Sequence, residues 1–319
     1  KGGKYYTERN DSSVIAFAVP AGTVKGFHMA AAHSDSPCFK VKEKPELTVE
    51  DHYMRLNTEK YGGMILSTWM DRPLSVAGRL AVRGTDGIQS RLVNIDRDLC
   101  VIPNVAIHMN REANSGVSYN PQKDMLPLFS MGGSDVSLQK LLSTQLDVEE
   151  KDILSHDLFL YNRMEGSIWG AENEFASSAR LDDLQCAFAS LKGFLGAQKQ
   201  DCIAVHCVLD NEEVGSGTKQ GAASTFLKDT LLRINSGLGR TYEEYLMTLA
   251  DSFMISADNA HALHPNYTDK ADPVNHPLLN KGIVIKYNAN QKYCTDAVSA
   301  AVFKDLCDRA DVPWQTFVN

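Results

Sequence analysis

From about residue 170 to the end, runs of strand length alternate with runs of helical period, and acidic residues stand where strand-like runs stop. Strands and helices in this order fold as a layered α/β domain, because each helix must bury its apolar stripe against the sheet it crosses. In such sheets, ligands collect beyond the carboxyl ends of the strands. The run 26–32 leads into His33, the run 202–209 into Asp210-Asn211-Glu212-Glu213, and the run 253–257 into Asp258. Separate strand ends are therefore expected to bring His33, Glu212, Glu213 and Asp258 to the edge where ligands bind.

Further strands are expected over 13–19 and 283–287, and helices near 221–234, 241–250 and 297–310. Leu181, Leu184, Phe188, Leu191 and Leu195 recur at helical spacing, which predicts one apolar face over 181–197. Ser178 is the expected N-cap, with Asp182 and Asp183 suited to the first turn. Between about 45 and 170 the texture changes. Short β-type runs at 63–69, 74–82, 90–95, 99–102 and 158–161 surround one helical run at 136–146, and Asp86-Gly87 reads as a turn. The expected organisation is a discontinuous α/β domain from 1–45 and 170–319, carrying a mostly β insertion at 46–169.

The chain has 319 residues, 43% hydrophobic and 23% charged, enough for a sizeable core. A net charge of −8 without a basic run argues against nucleic acid and anionic membrane surfaces as partners. No apolar stretch approaches the roughly 20 residues that span a bilayer. Cys38, Cys100, Cys186, Cys202, Cys207, Cys294 and Cys307 form no C-x-x-C pair. They read as reduced, buried thiols, hence a cytoplasmic protein. Neither terminus reads as a natural end: Lys1-Gly2-Gly3 is no signal peptide, and 314–319 stops inside a strand-like run, so a fragment is expected.

The acidic clusters read together as a two-metal site. Zinc takes His nitrogen or carboxylate oxygen, and a carboxylate has two oxygens with which to bridge two ions. In His33-Ser34-Asp35 the His can ligate while the Asp holds its other N–H; the plain alternative is a loop His beside a capping Asp. Asp182-Asp183 could equally be charge placed at a helix start. Glu212-Glu213 at the end of a buried strand would repel each other unless a cation relieves them, or could be a solvated turn. His261 and His264 could face one site or simply share a helical turn. His28 and His206 sit in apolar runs and read as core. G-x-S-x-G, Walker, G-x-G-x-x-G and H-E-x-x-H patterns are absent.

The stretches Ala32-His33-Ser34-Asp35-Ser36-Pro37, Ser177 to Leu184, Asp210 to Ser216, Ser256 to Tyr267 and Val284-Ile285-Lys286 resemble the aspartyl aminopeptidase family of co-catalytic di-zinc exopeptidases, along essentially the whole chain. The resemblance implies an α/β/α sandwich with a β insertion for dimerisation, and two zinc ions per subunit. Asp182 would bridge them, His33 and Asp258 would complete one site, and Glu213 would ligate the other. Glu212 would be the general base toward the bridging water, and Asp35 would orient His33. Substrates would be peptides with N-terminal Asp or Glu, whose side-chain carboxylate Lys286 would meet. His108 would reach the active site of a neighbouring subunit, and His261 would line the substrate pocket. Tetrahedral dodecamers are the implied assembly. The family pattern also holds a further metal-binding His near its C-terminus, past Asn319. Two other readings stand beside this one: a related di-metal deacylase or carboxypeptidase, and a non-catalytic oligomeric fragment.

Overall fold

The computed structural model describes residues 2–133, 135–197 and 201–318. The strands are β1 (Lys4–Arg9), β2 (Ser13–Ala18), β3 (Gly26–His33), β4 (Cys38–Val49), β5 (Tyr53–Tyr61), β6 (Leu74–Gly84), β7 (Gly87–Asn94), β8 (Leu128–Met131), β9 (Ile153–Asn162), β10 (Ser167–Trp169), β11 (Phe175–Ser177), β12 (Cys202–Leu209), β13 (Phe253–Ser256), β14 (Ile283–Tyr287) and β15 (Trp314–Val318). The helices are α1 (Leu138–Leu146), α2 (Leu181–Gly196), α3 (Phe226–Gly237), α4 (Tyr242–Ala250) and α5 (Ala297–Arg309). Two compact units divide the chain, Lys1–Ser256 and Ala257–Asn319.

In the first unit a five-stranded sheet runs β1-β2-β12-β3-β13. β12 and β13 both lie parallel to β3, while β2 is antiparallel to β12 and β1 to β2. Alternation along β12 separates two faces. Ile203, Val205, Cys207 and Leu209 join Ile15 and Phe27 against Phe226, Leu231 and Ile234 of α3 and Tyr245 of α4. His206 and Val208, with Val14 and Ala16, face Ala187, Leu191 and Phe194 of α2. Helices thus cover both faces, the layered α/β arrangement expected from the alternation of runs.

A second, antiparallel sheet of six strands runs β7-β6-β9-β4-β5-β8. Its inner face (Phe39, Val41, Leu56, Leu74, Val76, Leu80, Leu158, Leu160) is closed by Leu138 and Leu142 of α1. Ser137 caps α1 by accepting from the Lys140 amide. The opposite face carries Lys40 and Arg79 on either side of Asp157. Gly78 in β6 lies against Asp157 O of β9 so closely that an added Cβ would collide with that carbonyl.

In the second unit β14 and β15 form a parallel pair, with α5 between them in sequence. A reciprocal capping box between Asp296 and Ser299 opens α5. Lys304 on α5 stacks its ammonium over Trp314 and Tyr287 of the two strands.

Several local expectations change. The run 63–69 is not a strand; it ends in a 3-10 turn, Leu66–Trp69, whose Trp69 packs edge-on to Phe39. Residues 99–102 make only isolated bridges, Cys100 to Leu74, Val101 to Leu128 and Ile102 to Met70. Helix α3 starts at Phe226 rather than 221, after a turn at Gly221 whose amide bonds Thr218. Ser178 caps nothing: Arg180 precedes α2 in the left-handed region with no side-chain cap. The apolar face of α2 is only partly covered, with Leu184 45%, Phe188 64% and Leu195 52% exposed. His28 is exposed because it points to the other side of β3 from buried Phe27, whereas His206 is buried as expected. All seven cysteines are free, but Cys100, Cys207 and Cys307 alone among them are buried and Cys294 is exposed. No helix among the described residues is long and apolar enough to cross a membrane.

Candidate metal centre

Because β3, β12 and β13 run parallel, their carboxyl ends lie along one edge of the sheet. His33 is the last residue of β3 and sits opposite Leu209, the last of β12; the Ser34 amide donates to Leu209 O at 3.0 Å. Beyond β12 the chain turns sharply. Asn211 adopts a left-handed conformation (φ 66°), Glu212–Val214 form a 3-10 turn, and Gly215 closes it with φ 93°. Asn tolerates such a φ and Gly adopts it freely, so this sequence can reverse direction while holding two carboxylates at the strand end.

His33 is buried, and its ring lies between two aspartates. Nδ1–H donates to Asp35 O at 3.1 Å and stands 3.4 Å from Asp35 Oδ1. With the proton on Nδ1, the lone pair is on Nε2, which faces Asp182 Oδ1 at 3.2 Å. Asp182 and Asp183 leave helical geometry at the start of α2, and a cis peptide joins them. Both carboxylates reach His33: Asp182 Oδ1 lies against Nε2, and the fully buried Asp183 accepts from the His33 amide at 3.1 Å. Asp35 is gripped from several sides. Its Oδ1 accepts from the Glu212 amide at 3.0 Å, and its Oδ2 from the Glu213 amide at 3.2 Å and the Tyr61 hydroxyl at 2.7 Å. Burial alone would raise the Asp35 pKa, but these donors and His33 outweigh it and hold the carboxyl below its usual range.

His33, Glu212 and Glu213 bring one ligand atom each within 4.8 Å of one another. Burial, reinforced by Glu212, Asp182 and Asp35, raises the Glu213 pKa to about 7. Three carboxylates crowd one imidazole here, an arrangement whose mutual repulsion a shared cation relieves. The oxygen and imidazole donors suit zinc. The donor set therefore fits a metal ion, with His33, Asp182, Glu212 and Glu213 within reach.

In the second unit, Asp258 follows the end of β13 by two residues and is paired with Lys286: Nζ donates to Asp258 Oδ2 at 2.9 Å and to Asn259 O at 2.7 Å. The same ammonium lies 5.3 Å from the centre of the Tyr293 ring. His261 lines a cavity of about 510 Å³ with His264, Tyr267, Lys270 and Phe317. His108 sits in an exposed turn closed by the Met109 amide donating to Ala106 O at 2.8 Å.

Three participants were assigned no role from the sequence. Asp183 is one, and its signal was present in the paired Asp182-Asp183. The others are Tyr61 and Asn211, whose Nδ2 donates to the Tyr61 hydroxyl at 2.8 Å. Tyr61 belongs to β5 of the six-stranded sheet, far in sequence from every other member of the cluster. No local pattern could have pointed to it.

Comparison with known proteins gives the family of the chain. The family model described as aminopeptidase I zinc metalloprotease (M18) matches residues 1–319. A Clostridium acetobutylicum protein named "Probable M18 family aminopeptidase 2" is 48% identical over 327 residues, covering 100% of this chain and 76% of its own length. Among solved structures, a chain of the Ape4 and Nbr1 complex superposes with a TM-score of 0.93 at 37% identity, covering 99% of this chain and 66% of its own. The S. cerevisiae mApe1 dodecamer superposes with a TM-score of 0.85 at 26% identity, covering 99% of this chain and 74% of its own. The chain belongs to the M18 family of zinc metalloaminopeptidases, a family of hydrolases.

Proposed function

We propose that this protein is a zinc aminopeptidase that removes N-terminal Asp or Glu from peptides, using two zinc ions per subunit. The observation that carries the reading is the convergence of His33, Glu212 and Glu213 ligand atoms within 4.8 Å in a member of a zinc aminopeptidase family. When bound, zinc supplies Lewis-acid polarisation of the scissile carbonyl and acidifies water towards neutral pH. His33 and Asp182 would be ligands, with Asp258 carried over from the resemblance; Asp182 has the two oxygens that bridging needs. Glu213 would serve the second ion. Asp35 keeps the His33 proton on Nδ1 and so leaves Nε2 available. Glu212, exposed where Glu213 is half-buried, accepts a proton from the attacking water and returns it to the departing amine.

The substrate side chain would be read locally, because a net charge of −8 repels acidic peptides at a distance. Lys286 supplies the cation. Asp258 and Asn259 engage two of the three N–H bonds of its ammonium, and the third can meet a substrate carboxylate. His261 would line the substrate pocket. The insertion at 46–169 would pair subunits, His108 would serve a neighbouring site, and the assembly would be a dodecamer, as in the mApe1 relative.

The test is hydrolysis of matched Asp-, Glu-, Ala- and Leu-peptides by the purified chain with zinc, beside N-acetylated controls and Glu212→Gln. Release of only the acidic residues from free N-termini is expected, with Glu212→Gln retaining zinc but losing about 10²–10⁴ in turnover. Cleavage of the N-acetylated peptides, or full turnover in the variant, would refute it.

A further inference from the structure

The six-stranded sheet reaches the metal centre through one side chain. Tyr61 is the last residue of β5, and its hydroxyl donates to Asp35 Oδ2 at 2.7 Å while accepting from Asn211 Nδ2 at 2.8 Å. Asn211 is itself fixed. Its Oδ1 accepts from the Thr218 hydroxyl at 2.7 Å and from Gln220 Nε2 at 2.7 Å. A continuous polar chain therefore runs from Gln220 and Thr218 through Asn211 and Tyr61 to Asp35. From the Asp35 carboxylate it reaches the amides of Glu212 and Glu213, and Oδ1 stands 3.4 Å from His33 Nδ1, whose hydrogen bond goes to the Asp35 backbone O. A hydroxyl in this position must donate in one direction only, because Asn211 Nδ2 can offer nothing but protons. Its single proton is thereby committed to Asp35.

The next residue makes a second, independent contact with the same turn. Gly62 has φ +75°, and a Cβ there would lie 3.1 Å from the Glu213 Cβ and 3.4 Å from Glu213 O. The end of β5 thus bears on the Glu212-Glu213 turn twice, through the Tyr61 hydroxyl and through close backbone approach at Gly62. The Tyr61 ring is seated edge-on against Phe159 of β9, at 5.6 Å between centroids, so the six-stranded sheet holds the ring through the face that also carries Lys40.

We propose that Tyr61 is a positioning residue of the metal centre, transmitting the placement of the six-stranded sheet to the Asp35 carboxylate and through it to His33 and the Glu212-Glu213 turn. This rests on the metal-site reading above. Without the hydroxyl, Asp35 Oδ2 keeps only the Glu213 amide, Asn211 Nδ2 loses its acceptor, and the carboxylate beside His33 Nδ1 is left to the two turn amides alone. Loss of a partner that orients a metal-binding His typically costs about 10–100-fold in metal affinity.

The experiment compares the full chain with Tyr61→Phe and Tyr161→Phe. Tyr161 lies in the same sheet and its hydroxyl donates to Asn94 Oδ1 at 2.8 Å, so its removal costs a comparable hydrogen bond away from the site. Zinc affinity is read by competition with a chromogenic chelator, the ligand field by cobalt(II) absorption, and fold integrity by the melting temperature of the metal-free chain. For Tyr61→Phe the expected result is zinc affinity weakened about 10–100-fold and an altered cobalt spectrum. Its metal-free melting temperature should match that of Tyr161→Phe, whose zinc affinity should equal the wild type's. Zinc affinity within twofold of wild type in Tyr61→Phe, or the same loss in both variants, overturns the positioning role. Absence of zinc binding by the wild-type chain would instead overturn the metal-site reading and this inference with it.

Discussion

Under the proposed function Lys286 would have two jobs, since it already holds the Asp258 carboxylate that the resemblance assigns to a metal. Removing it should therefore cost something on every substrate and more on acidic ones. In Lys286→Ala, kcat/KM for aspartyl peptides is expected to fall about 10- to 100-fold further than for alanyl peptides, the worth of a charge-assisted hydrogen bond of about 1.5–3 kcal/mol. Steady-state kinetics on the two peptides checks this; equal losses would leave Lys286 with the Asp258 contact alone. At this scale much was legible. His33, Glu212 and Glu213 are chemically distinctive residues at the ends of apolar runs and Asp182 stands at the start of one, and the structure draws His33 to Asp182 and to the Glu212-Glu213 pair. Tyr61 and Asn211 were not legible, because a tyrosine ending one strand and an asparagine in a turn carry no signature until the fold brings them to 2.8 Å.

Among elements, extent was better anticipated than burial. β3, β12 and α2 were expected within a residue or two of where they lie, but exposure along α2 was not. The same apolar spacing that predicts a buried stripe leaves Phe188 64% exposed, whereas Phe27 on the neighbouring strand is 0% exposed. Phe27→Ala should cost about 3–5 kcal/mol and Phe188→Ala less than about 1 kcal/mol, measured by denaturant unfolding of this chain. On the six-stranded sheet, Asp157 offers a pH test. Burial would raise its pKa, but hydrogen bonds and charge from Lys40 and Arg79 outweigh that and lower it. A carboxyl whose pKa is lower folded than unfolded stabilises the native state above the unfolded value and loses that contribution as pH falls through the folded one. Asp157→Asn should therefore be less stable than wild type at pH 7, and the gap should close as the pH drops below about 4. A gap that stays constant down to pH 2.5 would mean that the charge is not what matters there.

The whole molecule raises the question of assembly. A solved relative at 26% identity is a dodecamer, and this chain matches 74% of it. Exposed Ile88 (64%) and Leu92 (73%) on β7 and the uncovered side of α2 are apolar surface that a monomer would leave in water. Sedimentation of the purified chain should show species well above the monomer mass at micromolar concentration, and a single monomeric boundary across that range would count against self-association of these residues.

The sequence by itself determined the layered α/β class, the six-residue-or-longer runs that become the central strands, and the chemical identity of the acidic centre. These are local properties: period follows from how side chains alternate on a strand or a helix, and strand ends follow from where an apolar run stops. Only the tertiary structure decided which face of α2 is covered and that Asp182 and Asp183 leave the helix to meet His33. It alone brought the end of β5, in the six-stranded sheet, to the Glu212-Glu213 turn. Each of those outcomes depends on contacts between residues many tens of positions apart, and a long-range contact leaves no trace in the spacing of the residues that make it.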